Sequence, residues 1–157
     1  MPSQPPLQLL LMRIGVFHFG VPSLYVRKAM NVLPHQSVPQ MKANFGGITL
    51  YNRRFISKLY LDSVLGLGLY RPTPDNVSMD ATVIFETNGI LFCSTVNEVD
   101  TIISVPEKEI FAVSDMPKPL PPVFPNADFL LGFVKVRQHE TYILDVPKIY
   151  QACFVET

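Results

Sequence analysis

Fifteen prolines are scattered through the 157 residues of this chain, and they constrain its fold more than any other feature. A proline inside a helix removes a backbone hydrogen bond and clashes with the preceding turn, at about 3 kcal/mol each. Their spread therefore excludes a helical bundle. Five of them fall between Met116 and Asn126, a stretch that predicts neither a helix interior nor a central strand. Between the prolines the chain is apolar. Hydrophobic residues make up 48%, too many for a disordered chain. Short strands joined by turns are what such a pattern can build.

Leu7 to Phe19 is rich in branched and aromatic residues and reads as the first strand. Arg13 interrupts it, so it falls short of the roughly 20 apolar residues a membrane span needs. No basic residue precedes it in the manner of a signal peptide. A soluble, cytoplasmic chain without direct membrane insertion is the expectation. Gly20-Val21-Pro22 predicts a turn, because Gly admits positive φ and Pro lacks a ladder donor. Leu24, Val26, Ala29 and Val32 are spaced for a strand or for a short helical turn, and Pro34 to Pro39 for a loop. Gly46-Gly47 opens a strand through Leu50. Tyr51-Asn52-Arg53-Arg54 then reads as a hairpin turn, with Asn52 best suited to a left-handed backbone. Residues 66 to 80 form a connector.

Ala81 to Phe85 and Ile90 to Val96 flank Asn88-Gly89, the strongest short hairpin signal. Val99 to Val105, Phe129 to Val136 and Tyr142 to Val146 are further strands. Glu107-Lys108-Glu109 is an exposed piece, and residues 147 to 157 suit a last helical turn or an edge strand. Nine or ten short strands at regular spacing predict an all-β sandwich or barrel. The chain also echoes itself. Gly47-Ile48-Thr49-Leu50, a turn, then Ile56 to Asp62 parallels Gly132 to Val136, a turn, then Tyr142 to Asp145. Two related lobes would produce that echo.

The chemistry of catalysis is missing. There is no phosphate-binding Gly-x-x-x-x-Gly-Lys loop, no Gly-x-Ser-x-Gly and no His-Glu-x-x-His. His18, His35 and His139 stand apart from any metal-ligand spacing. His18 alternates with Phe17 and Phe19 and is expected to face solvent. His139 and Glu140 are neighbours in a strand-like stretch, so they point to opposite faces. Asp62 and Asp145 end the echoed hairpins and suit backbone caps. Cys93 and Cys153 sit in apolar strand-like surroundings, as buried free thiols in a reducing compartment would. Thirteen basic residues balance thirteen acidic ones, so no general attraction to polyanions exists. Neither a catalytic residue, a cofactor nor a metal is expected. A non-enzymatic chain with much strand edge works by holding partners. The alternative is a small β-barrel module that binds nucleic acid or a small ligand, and a continuous positive groove would distinguish it.

The order of these pieces resembles the CheW-like domain family over about residues 9 to 151. Phe17 to Gly20, Ser23-Leu24-Tyr25-Val26, Ala29 and Val32-Leu33-Pro34 follow the family's opening strand, turn and Leu-Pro segment. Gly47-Ile48-Thr49-Leu50 and Leu59-Tyr60-Leu61 match the start and end of its first hairpin, and Leu65-Gly66 the following Leu-Gly. Val96 to Ile103, Phe129 to Gly132 and Ile143 to Ile149 match its second half. Departures concentrate in the first hairpin. Leu-Arg-Gly there has become Leu50-Tyr51-Asn52, with an apparent extra residue at Arg53-Arg54, and the family's Asp falls on Tyr60.

The resemblance implies an all-β fold of two intertwined five-stranded SH3-like barrel lobes with short helical turns. It implies one domain over residues 7 to 157, with 66 to 80 between the lobes. It also implies a signalling adaptor. The expected partners are the regulatory domain of a CheA-type histidine kinase and the signalling tip of a methyl-accepting chemoreceptor, in chemotaxis or pilus-based motility. Family positions for partner contact fall on Ala29, Asn31, Tyr51 and Asn52, with Arg53 or Arg54 supplying the charge of the family Arg.

Overall fold

The computed structural model describes residues 5–15, 17–30, 35–36, 45–65, 81–112 and 127–155. These contain eleven strands. β1 (Leu7–Ile14) and β2 (Phe17–Pro22) form a hairpin, and a 3-10 turn over Ser23–Tyr25 leads into β3 (Val26–Met30). β4 is the two-residue His35–Gln36. β5 (Phe45–Tyr51) and β6 (Arg54–Leu59) precede the short helix α1 (Leu61–Val64). β7 (Ala81–Thr87), β8 (Ile90–Val96) and β9 (Glu98–Val105) follow. β10 (Leu130–Val136) and β11 (His139–Leu144) end in α2 (Val146–Tyr150), which continues as a π-helical turn over Gln151–Val155.

Two sheets result. The first has the order β10-β11-β2-β1-β9, and the second β3-β7-β8-β6-β5-β4. The chain starts in the first sheet, passes to the second at Ser23–Tyr25, and returns where β8 meets β9. Each sheet thus contains strands from separated parts of the sequence. Among the described residues neither sheet closes by pairing its edge strands. The first is drawn together by Phe111, whose N–H and C=O both bond Phe133, and by the Arg137–Asp100 ion pair at 3.0 Å.

The sequence echo is a repeat of sheet topology. β5–β6 and β10–β11 are antiparallel hairpins, each with a register shift at its glycine, between Phe45 and Gly47 and between Leu130 and Gly132. β6 runs parallel to β8, and β11 parallel to β2. β8 and β2 then pair antiparallel with β7 and β1, which pair with the edge strands β3 and β9. At Gly132 the glycine is required by space, since a Cβ there would lie 2.4 Å from the Phe111 carbonyl oxygen.

Alternation along the strands sorts side chains into three clusters. Val83 and Phe85 of β7 face a core shared by both sheets, with Met12 and Phe19 from the first sheet and Phe92 from the second. Val146, Ile149 and Cys153 from the C-terminal helical segment complete it. Ile84, between Val83 and Phe85, faces the other way into a cluster with Tyr51, Ile56 and Cys93. Leu9, Val105, Val134 and Ile143 form the corresponding cluster of the first sheet. Full burial of each large apolar side chain contributes about 1.5–3 kcal/mol, so the shared core dominates and ties the two sheets together.

Several expectations need correcting. Leu7 to Phe19 is two strands, with the turn at Gly15 (φ 60°). Arg13 closes it by donating to the Gly15 carbonyl at 2.7 Å, and Asn97 accepts the Gly15 N–H at 2.7 Å. Gly20-Val21-Pro22 is therefore strand and not turn, because the ladder with β1 runs on to Pro22. A short strand, β4, lies within the expected loop from Pro34 to Pro39. The segment after Pro22 is both of the structures its spacing allowed, a 3-10 turn and then a strand. Cys93 and Cys153 are buried free thiols, as expected. The connector 66–80 and the proline cluster lie outside the described residues. Among those described, no helix is long and apolar enough to cross a membrane.

Candidate partner-docking surface

The β5–β6 hairpin turns in two residues, Asn52 (φ 48°) and Arg53 (φ 62°). Both take the left-handed conformation, which matches the natural twist of paired strands. Asn tolerates it well, whereas a non-glycine residue such as Arg53 costs about 1–2 kcal/mol. The turn has the same length as Arg137-Gln138 in the β10–β11 hairpin. It therefore holds no extra residue relative to its counterpart. Asn52, Arg53 and Arg54 are exposed at its tip. The ion pairs seen among the described residues, Arg13–Glu98, Arg27–Glu86 and Arg137–Asp100, leave out both Arg53 and Arg54.

Tyr51 is placed differently from the other hairpin residues. Its side chain is largely buried, with Ile56, Ile84 and Cys93. Ala29 is exposed on β3, paired with Val83. Asn31 lies outside the described residues. The strand order puts β7, β8 and β6 between β3 and β5. At about 4.8 Å per strand, Ala29 and the hairpin stand on opposite margins of the second sheet.

Directly paired residues share a face, and the register makes those margins parts of one face. Ala29 pairs with Val83, Phe85 with Phe92, Phe92 with Ser57, and Leu50 with Phe55. The middle of this face is covered by the shared core and by Phe154, whose ring lies 5.3 Å from that of Phe92. At its hairpin margin Leu50 is 56% exposed and Phe55 73%. They are the only directly paired strand residues among the exposed large hydrophobics of the described chain. Composition could not reveal this pair; only the register makes Leu50 and Phe55 neighbours on an open face.

The first sheet supplies an internal control. The positions equivalent to Leu50 and Phe55 are Lys135 and Glu140, also direct partners and also exposed. An oppositely charged pair belongs on a solvated hairpin. The apolar pair in the same place on the second sheet keeps a hydrophobic patch in water at the hairpin end, next to Arg53 of the turn, while Arg54, the register partner of Tyr51, starts on the opposite face. That arrangement fits a partner carrying an apolar ridge beside acidic groups.

A second polar grouping, the stacked rings of His18 and His139, lies on the first sheet. His18 is thus half-buried against another ring instead of facing open solvent. Lys58 and Cys93 are register partners inside the second sheet. Burial lowers the Lys58 ammonium from its usual value, opposed by Cys93, and raises the Cys93 thiol to about 11. A thiol held so far from its thiolate is inert as a nucleophile. No group of three or more metal-ligating side chains occurs among the described residues.

Residues 8–153 match the family model described as the CheW-like domain. In structure the chain is similar to the scaffolding protein TtCheW from Thermoanaerobacter tengcongensis, at a TM-score of 0.71. The two are 16% identical, with 88% of each chain covered. No curated protein matches the sequence.

Proposed function

The chain belongs to the CheW-like domain family, and from that premise we propose that it is a non-enzymatic adaptor linking a chemoreceptor to a CheA-type histidine kinase. Its setting would be chemotaxis or pilus-based motility. It acts as one unit of two lobes in the cytoplasm. The partners are the kinase regulatory domain and the signalling tip of a methyl-accepting receptor.

The observation that carries this reading is the exposed Leu50–Phe55 pair beside Arg53 and Arg54. A receptor tip is helical and amphipathic in this proposal, and an apolar sheet face receives side chains rather than a strand. Leu50 and Phe55 supply the apolar contact, and Arg53 and Arg54 the charge. Ala29 and Asn31 provide the contact at the opposite margin. Tyr51 acts from beneath, by filling the core under the hairpin.

The test is titration of the chain against the kinase regulatory domain and the receptor signalling tip of its own organism. Saturable binding to both, and a ternary complex on mixing all three, is expected. Binding to neither, by a chain whose far-ultraviolet and unfolding signals are intact, would remove the coupling role. Binding to nucleic acid with a steep salt dependence would instead favour the β-barrel alternative.

A further inference from the structure

β2 and β11 are joined by three register pairs, Thr141 with His18, Tyr142 with Phe19 and Ile143 with Gly20. This parallel seam attaches the C-terminal hairpin to the N-terminal one. At its end the His18 and His139 rings stack, with centroids 4.2 Å apart and planes inclined by 20°. The equivalent positions on the second sheet are Leu91 and Arg54, so among the described residues a pair of histidines exists at only one of the two seams.

The surroundings of the pair are charged but balanced. A cavity of about 210 Å³ is lined by both histidines and by Arg13, Arg137, Glu98 and Asp100. Arg13 of β1 is the register partner of His18 and pairs with Glu98 of β9 at 3.5 Å. Arg137, in the turn after β10, holds Asp100 of β9 at 3.0 Å. Lys135 of β10 and Glu140 and Tyr142 of β11 flank the other side. Each proton added to an imidazole is therefore an uncompensated positive charge. Burial, the neighbouring His139 and Arg13 all hold His18 below its ordinary value of 6.5, with Glu98 opposing. A first proton is tolerated, because an imidazolium lies favourably over a neutral ring. A second sets two like charges face to face beside a guanidinium.

We propose that His18 and His139 form an acid-labile clasp, which holds the β2–β11 seam while at least one ring is neutral and releases it when both are charged. Acidification then loosens the C-terminal hairpin from the N-terminal one and leaves the second sheet in place. The clasp stands on the seam alone, and its failure would leave the docking proposal untouched.

Amide hydrogen exchange on the full chain between pH 7.5 and 5 tests it, with protection corrected for intrinsic exchange chemistry. The β2 and β11 amides are expected to lose protection at least tenfold while β7 and β8 keep theirs. His139→Phe retains a stacked ring without a proton site and is expected to abolish the loss. The His18 ring proton resonances should then titrate closer to the ordinary histidine value. His18→Phe is the second variant, and it too is expected to abolish the loss of protection. Undiminished acid sensitivity in a folded variant, unchanged protection in the parent chain, or equal loss in both sheets would each overturn the clasp.

Discussion

Tyr60 and Asp145 occupy the same place in the two halves of the fold, and only Asp145 caps a helix with its side chain. The Tyr60 carbonyl accepts the Val64 N–H at 3.0 Å, as the Asp145 carbonyl accepts that of Ile149 at 3.0 Å. The Asp145 carboxylate also accepts the Lys148 N–H at 3.1 Å. Loss of such a cap costs about 1 kcal/mol. Asp145→Ala is expected to lower stability by about that amount in urea unfolding, and Asp145→Asn, which keeps an acceptor, to change it little. An equal loss in both variants would show that charge rather than the cap matters there.

Gly132 and Gly89 separate two reasons for glycine. A Cβ at Gly132 would meet the Phe111 carbonyl oxygen at 2.4 Å, and backbone cannot move aside cheaply. Gly89 has φ 74° and open space around it. Gly132→Ala is therefore expected to cost on the order of 2–3 kcal/mol, by overpacking and by parting Phe111 from Phe133. Gly89→Ala should cost about 1–2 kcal/mol, from left-handed backbone strain alone. Urea midpoints of the two variants rank them.

These two glycines show what the sequence could and could not reveal. Asn88-Gly89 announces its turn locally, and the structure has it. Gly132 announces only a strand opening, because Phe111 is brought to it by tertiary folding. The echo has the same limit. It joins Asp62 to Asp145, whereas register counted from Gly47 and Gly132 puts Tyr60 opposite Asp145. Residue type suggested the match, and pairing decides it. Sequence alone makes His18 an isolated solvent-facing residue, since the parallel β2–β11 pair that brings it to His139 spans most of the chain. In the candidate site, the turn at Asn52-Arg53 was legible from chemistry. Tyr51 pointing inward and Phe55 outward follow from strand phase, which a hairpin in isolation leaves open.

Lys58 stands where the first sheet has the fully buried Ile143. It is itself buried, with its ammonium 5.9 Å from the centre of the Tyr60 ring. Burial lowers it from 10.5, so between its folded value and 10.5 the unfolded chain holds more protons. Stability is thus penalised in full below the folded value and recovers as pH rises through it. Lys58→Met is expected to raise stability at pH 7 on the order of 1 kcal/mol. The margin should shrink as unfolding is measured at higher pH, toward 10. A margin independent of pH would mean that the ammonium is not what destabilises this position.

Exchanging the two hairpin surfaces separates docking from folding. Leu50→Lys together with Phe55→Glu would give the second sheet the pair that Lys135 and Glu140 form on the first. Cross-strand pairs contribute only about 0.2–1 kcal/mol, and both side chains are more exposed than buried. The urea midpoint is therefore expected to stay nearly unchanged. Partner affinity should fall by thirtyfold or more, since an apolar anchor at the centre of an interface contributes about 2 kcal/mol or more. The converse change, Lys135→Leu with Glu140→Phe, should leave affinity as it is and make the chain self-associate through a second apolar patch. If both double variants bind the receptor tip like the parent, the hairpin face is not the docking surface, and the exposed Ala29 margin becomes the place to look.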